Sequence, residues 1–250
     1  MGSGRLVFGL HAASTAVEHG LERINGVWVD ARRDDARLGK LVRRLLDAGL
    51  NIETVPRRRL DELARGGNHQ GIILEIVLPA ERDEDDLMQA VSACTGPALL
   101  LVLDQVQDPH NLGACMRSAD AVGATGVVIP KDQSVGMTPT VAKVASGAAE
   151  TVPLYRVTNL ARCLDKLKDS GVWVIGASGD APRSLYEADL TVPLALVFGA
   201  EGKGLRRLTR EKCDVLVEIP MYGQVESLNV SVAAGVLLYE ALRQRRVTTP

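Results

Sequence analysis

Three stretches of this 250-residue chain bring together residue types that chemistry needs. The first runs Asp104-Gln105-Val106-Gln107-Asp108-Pro109-His110-Asn111-Leu112-Gly113-Ala114-Cys115-Met116-Arg117. Asn111 can cap the helix that follows, accepting from an orphan backbone N–H, and Gly113 lets another backbone or a ligand approach closely. Arg117 lies among Ala114, Met116, Ala119 and Ala121. A guanidinium half-buried in such company must find an anion, and Asp108 or Asp120 would serve as well as a ligand. The second stretch, Phe198-Gly199-Ala200-Glu201-Gly202-Lys203-Gly204-Leu205, sets glycines around one carboxylate, the composition of a tight turn whose amides face a ligand. The third, Ile219-Pro220-Met221-Tyr222-Gly223-Gln224-Val225-Glu226-Ser227-Leu228-Asn229, leads into a helix of small residues. Ser227 and Asn229 there can be plain caps, worth ~1 kcal/mol each. No single loop demands more than a structural explanation.

The elements that hold these loops make the coincidence harder to dismiss. From residue 97 onward, apolar strands alternate with helices: strands at 99–103, 127–129, 152–155, 172–175, 194–198 and 215–219, helices at 111–122, 140–145, 160–168, 205–212 and 231–244. That alternation predicts βαβ units and a parallel sheet, whose ligands bind beyond the carboxyl ends of the strands. Each of the three loops follows a strand. Residues 5–78 predict a smaller α/β unit, with strands at 27–29, 52–55 and 71–77 and helices at 12–19, 38–48 and 60–64, the second carrying Leu38, Leu41, Leu45 and Leu46 at helical spacing. Arg32, Arg33, Arg37, Lys40, Arg43, Arg44, Arg57, Arg58 and Arg59 could give this unit a cationic face or be ordinary solvated charge. Between the two, the run Glu81-Arg82-Asp83-Glu84-Asp85-Asp86 reads as part of an acidic linker over 79–97, with a short helix at 87–93. The organisation expected is therefore 1–78, 79–97 and 98–250.

Composition narrows the classes. Apolar residues at 46% and charged residues at 24% exclude a disordered, collagen-like or low-complexity chain. No window approaches the ~18 apolar residues of a membrane span, and the start lacks a signal-peptide core, so a cytoplasmic protein is expected. The net charge of −2 arises in residues 81–96, which carry −4 against +2 before them and zero after; it does not decide for or against nucleic acid. Cys94, Cys115, Cys163 and Cys213 show no paired spacing and the histidines are scattered, so no metal site is expected. The glycine loop lacks the G-x-G-x-x-G order, and Lys203 precedes Gly204 instead of Ser or Thr, which sets aside dinucleotide and P-loop readings.

In order and content, the strings N-x-G-x-x-x-R-x-A at 111–119, F-G-x-E-G-x-G at 198–204 and I-P-M-x-G-x-V-x-S-L-N-V-S-V-A at 219–233 resemble the three motifs of the SpoU-type RNA 2'-O-ribose methyltransferases. Val7-Phe8-Gly9-Leu10-His11-Ala12 and Asn68-His69-Gln70-Gly71-Ile72 are similar to the small RNA-binding domain that precedes the catalytic domain in many members. The fuller string at 108–115, with 144–150 and 206–211, is most similar to the branch that methylates a guanosine of 23S ribosomal RNA. The resemblance implies S-adenosylmethionine as methyl donor, a C-terminal trefoil knot and a homodimer whose active site is completed across the knotted interface. It further implies that Arg117 lies by the reacting hydroxyl, oriented with the substrate by Asn111, Glu201, Ser227 and Asn229, with Glu201 as the arginine's partner. The cofactor would rest on main-chain groups of Gly199, Ile219 and Leu228, beside Gly202 and Met221. A transfer RNA substrate and a non-catalytic ribosome assembly factor are the alternatives.

Overall fold

Short alternating runs build the first of two units, Met1–Ala80 and Glu81–Pro250, into which the chain divides in the computed structural model, which describes residues 4–33 and 35–248. The first unit runs β1 (Gly4–Phe8), α1 (Leu10–His19), β2 (Ile24–Asp30), α2 (Ala36–Asp47), β3 (Glu53–Val55), α3 (Arg57–Ala64) and β4 (Ile72–Val77). Its sheet has the order β1-β4-β2-β3, with β4 antiparallel to both neighbours and β3 parallel to β2. Strand β1 joins the three strands expected from the sequence. Ile72, Ile73 and Leu74 of the inner strand β4 are fully buried. Asp35 caps α2, accepting from the amides of Arg37 and Leu38 at 3.1 Å. Leu38, Leu41 and Leu45 of that helix are buried, but Leu46, one position off the stripe, is 55% exposed. Of the basic residues, Arg33 pairs with Asp35, and Arg58 and Arg59 both pair with Glu62. Arg37, Lys40, Arg43 and Arg44 stay exposed along α2.

The acidic run is not a linker. It opens the second unit as α4 (Glu84–Ser92), where Asp83 accepts from the amides of Asp85 and Asp86 and the Asp86 carboxylate accepts from the Asp83 amide. Three acids in the first turn suit the positive end of a helix. Leu87, on the opposite face, is fully buried among the residues of the second core.

That core surrounds a parallel sheet of β5 (Leu99–Leu103), β6 (Gly126–Pro130), β7 (Leu154–Val157), β8 (Trp173–Ala177), β9 (Leu194–Phe198) and β10 (Val215–Val217), in the order β10-β8-β9-β5-β6-β7. Both faces are covered, so β5, β6 and β9 are buried at every position. The helices are α5 (Pro109–Ala121), α6 (Pro139–Ala145), α7 (Ala148–Thr151), α8 (Leu160–Asp169), α9 (Arg207–Lys212) and α10 (Val230–Thr248). The short α7 occupies the approach to β7 and displaces that strand to a later start than its apolar run predicts. Gly113 resolves as a packing glycine: a Cβ there would stand 2.6 Å from Val144 Cβ and 2.9 Å from the Val141 carbonyl oxygen of α6. Cys115 and Cys163 are buried, which pushes both thiols up to about 12 and leaves them chemically quiet. No described helix is long and apolar enough to cross a membrane.

The buried anchor in α4 gives a direct check. Leu87→Ala is expected to lower stability by ~2–5 kcal/mol in denaturant titration, whereas a residue of a solvated linker would change it by less than ~0.5 kcal/mol.

Candidate active site

Of the residues singled out from sequence, Asn111, Glu201 and Asn229 come together in the segments that follow β5, β9 and β10. The parallel register sets Leu103 against Phe198, so the loops leaving β5 and β9 start side by side. The β5 loop enters α5 with Asp108 as its cap: the Asp108 carboxylate accepts from the His110 amide at 2.9 Å, and Pro109 fills a first-turn position that needs no N–H. Asn111 is therefore not the cap expected of it. It lies inside the first turn, buried at 7% exposure, with its amide released for another task.

That task is Glu201. Asn111 Nδ2 donates to Glu201 Oε1 at 3.0 Å, and Asn229 Nδ2 donates to the same oxygen at 2.7 Å. Asn229 Nδ2 also donates to Asn111 Oδ1 at 3.0 Å, closing a triangle of one carboxylate and two amides. The remaining oxygen of Asn229 accepts from the Ser231 amide at 2.9 Å and from the Ser231 hydroxyl at 2.6 Å. Asn229 thus caps α10 and grips Glu201 with the same side chain. Ser227 is exposed and stands outside these bonds.

The loop carrying Glu201 is shaped by its glycines. Ala200 and Gly204 bridge across it, the Gly204 amide donating to the Ala200 carbonyl at 2.9 Å. Gly202 and Gly204 have φ of 72° and 66°, values that L side chains rarely adopt. A Cβ on Gly199 would stand 2.0 Å from the carbonyl carbon and oxygen of Gly204, so the turn closes only around glycine. The long loop after β10 passes the end of β8, where the Glu226 carbonyl oxygen lies 3.9 Å from a Cβ built on Gly179. Ile219, Met221 and Leu228 are half-buried along it, as is Gly199, while Gly202 is exposed. These positions set apolar side chains beside main-chain amides and carbonyls, the kind of lining that takes a flat heterocycle.

Arg117 departs from expectation. It is exposed, and no hydrogen bond or ion pair joins it to Glu201, Asp108 or Asp120 among the described residues. Six positions beyond Asn111, it lies about 240° around α5 from that residue. Glu201, expected to neutralise the guanidinium, is satisfied by amides instead.

Asp104 escaped the sequence reading although it ends an otherwise apolar strand run. It is 1% exposed. Its carboxylate meets the Arg206 guanidinium at 2.6 Å, and its backbone amide donates to the Phe198 carbonyl at 2.7 Å. The signal was there: a lone acid after five buried apolar residues must be paired.

The triangle carries a pH test. Asn111→Asp would set a second carboxylate within bonding distance of Glu201, and the pair would then bind one proton with an affinity raised by mutual repulsion. A group whose folded pKa is raised contributes stability at low pH and loses it as pH rises through that value. The variant's denaturation midpoint should therefore approach the parent's near about pH 5 and fall below it by about pH 8. A deficit independent of pH would contradict the contact.

Residues 98–239 match the SpoU rRNA Methylase family, and residues 6–81 match the family described as RNA 2'-O ribose methyltransferase substrate binding. The chain is 52% identical over 244 residues to the 23S rRNA (guanosine-2'-O-)-methyltransferase RlmB of Shewanella oneidensis, covering 96% of this chain and 98% of that one. It is 51% identical over 248 residues to the protein of the same name from Ralstonia nicotianae, covering 99% and 98%. Among solved structures, the SpoU methyltransferase AviRb of Streptomyces viridochromogenes, in complex with AdoMet, is 27% identical and superposes with a TM-score of 0.65 over 99% of this chain and 92% of that one.

Proposed function

This chain belongs to the SpoU rRNA methylase family, and from that premise we propose that it transfers a methyl group from S-adenosylmethionine to the ribose 2'-oxygen of a guanosine in 23S ribosomal RNA. The observation that carries the reading is the Asn111–Glu201–Asn229 triangle, which draws the three chemistry-bearing loops to one place. Near-full-length identity of about half to enzymes named for this reaction supports the substrate.

When bound, S-adenosylmethionine supplies a methyl group on a positively charged sulfur, a leaving group that needs no metal. The loops at Gly199, Gly202, Ile219, Met221 and Leu228 would hold it, since they offer main-chain donors and acceptors beside half-buried apolar side chains. The chain must then orient the ribose, exclude water and ease loss of the hydroxyl proton. A guanidinium holds its protons too firmly to act as a base near neutral pH, so Arg117 acts electrostatically, stabilising the developing alkoxide and positioning the ribose and its phosphate. Asn111, Glu201 and Asn229 form the floor against which the nucleotide would be set, and the exposed Ser227 would help orient it.

Arg117 faces away from that floor on its own helix, which supports a homodimer in which it serves the partner's site. Exposed apolar residues favour the same assembly: Val232 and Tyr239, seven apart on α10, are 51% and 53% exposed, and Val225 in the preceding loop is 64% exposed. The knotted topology fits the path of the chain, which leaves β9 at the centre of the sheet, forms β10 at its edge and returns as α10 to pack on α5. The first unit would take the RNA, its exposed α2 arginines and lysine meeting phosphates. A ribosomal RNA substrate supports a cytoplasmic location.

The test is a transfer assay with labelled S-adenosylmethionine and unmodified transcripts of 23S rRNA and transfer RNA. Label recovered as 2'-O-methylguanosine from 23S rRNA alone is the expected result. Arg117→Ala should lose at least ~100-fold in turnover while binding the cofactor within about threefold of the parent. Label in transfer RNA would overturn the substrate, and an unimpaired Arg117→Ala would overturn the role of that residue.

A further inference from the structure

A buried carboxylate is costly unless it is paired, and the partners of Asp104 lie on both sides of one loop. Its backbone amide donates to Phe198, the last residue of β9, at 2.7 Å. Its side chain accepts from the Arg206 amide at 3.4 Å and meets the Arg206 guanidinium at 2.6 Å. Phe198 and Arg206 are the residues on either side of the loop 199–205. One residue of the neighbouring strand therefore clasps both feet of the loop that carries Glu201 and Gly199. Leu205, just inside the second foot, packs near Gly176, where a Cβ would stand 2.9 Å from Leu205 Cδ1. At the tip, Asn111 and Asn229 hold Glu201.

We propose that Asp104 is a positioning residue for methyl transfer, acting with Arg206 to set the loop 199–205 in the register that the cofactor and Glu201 require. The inference rests on the reading of this site as an S-adenosylmethionine site. Packed apolar side chains in place of both members of such a pair are often neutral or stabilising, so stability alone does not call for the pair. What apolar residues lack is a charge contact with Arg206 and an acceptor for its amide. Arg206 is exposed, its side chain 44% accessible, so the pair exchanges little packing for that hold.

Four variants test this: Asp104→Asn, Arg206→Gln, the double variant carrying both, and Arg206→Lys. For each, cofactor affinity is measured by calorimetry without RNA, KM and kcat by methyl transfer to 23S rRNA transcript, and Tm by thermal unfolding. Asp104→Asn and Arg206→Gln should each raise the Kd and KM for S-adenosylmethionine about tenfold, with Tm within a few degrees of the parent. The double variant should be no worse than about threefold beyond either single change, because both remove one interaction. Arg206→Lys, which keeps a charge within reach of a single oxygen, should recover to within about threefold of the parent. If every folded variant keeps the parent's Kd and KM and only Tm falls, the pair is merely structural and the proposal is overturned. Should Asp104→Asn fail to fold, the two Arg206 variants decide alone, since that side chain reaches solvent. A parent protein that binds no S-adenosylmethionine would overturn the underlying reading instead, which the calorimetry separates from failure of the clasp.

Discussion

One carboxylate oxygen, Glu201 Oε1, accepts from two amides that reach it across 90 and 28 residues of sequence. The rest of the site depends on that convergence. Glu201 is exposed, so water could satisfy its carboxylate; two amides hold it instead, one from the first turn of α5 and one from the residue before α10. The glycine loop can present Glu201 only because Gly199 admits the Gly204 carbonyl at a distance no Cβ would allow. Asn111 can reach it only because Asp108 has taken over the capping of α5. Each local feature that looks like ordinary turn or cap chemistry is a condition for the next.

The helix α5 divides its labour by face. Asn111 points to the triangle, Gly113 admits α6, Cys115, Met116 and Ala119 are buried, and Arg117 is left in solvent. An arginine so placed does nothing for the fold. In the proposed assembly, RNA and a second protomer would supply both an anion for it and a cover for the exposed apolar residues of α10. The helix geometry that separates Arg117 from Glu201 is one support for the proposed homodimer.

Much of this was legible in the residues. Parallel strands buried on both faces have nearly continuous apolar runs, so β5, β6 and β9 stood out, and with them the loops that follow. Motif strings picked out Asn111, Glu201 and Asn229, which the structure brings together, and Ser227, which is exposed and outside their bonds. The partner of Glu201 was not legible, because charge complementarity favours Arg117 while helix phase and two amides decide otherwise. Of α4, the helix expected at 87–93 was legible, but not its start at Glu84 or its packing: a run of acids reads as solvated chain, and one fully buried side chain, Leu87, is too little periodicity to reveal a packed face. Asp104 was visible but unweighed, since its partner Arg206 becomes a neighbour only through the pairing of β5 with β9.

The central claim is that a floor built from Asn111, Glu201 and Asn229 in one protomer works with Arg117 of the other. Mixing two inactive proteins measures it most directly: Asn111→Ala and Arg117→Ala chains are unfolded together, refolded and assayed for methyl transfer. If the site is shared, each mixed dimer contains one site free of both substitutions, and activity returns to roughly a quarter of the parent's, as random pairing dictates. If Asn111 and Arg117 of one chain serve a single site, every site in every dimer stays defective. The mixture would then be as inactive as its components, and the account would be contradicted.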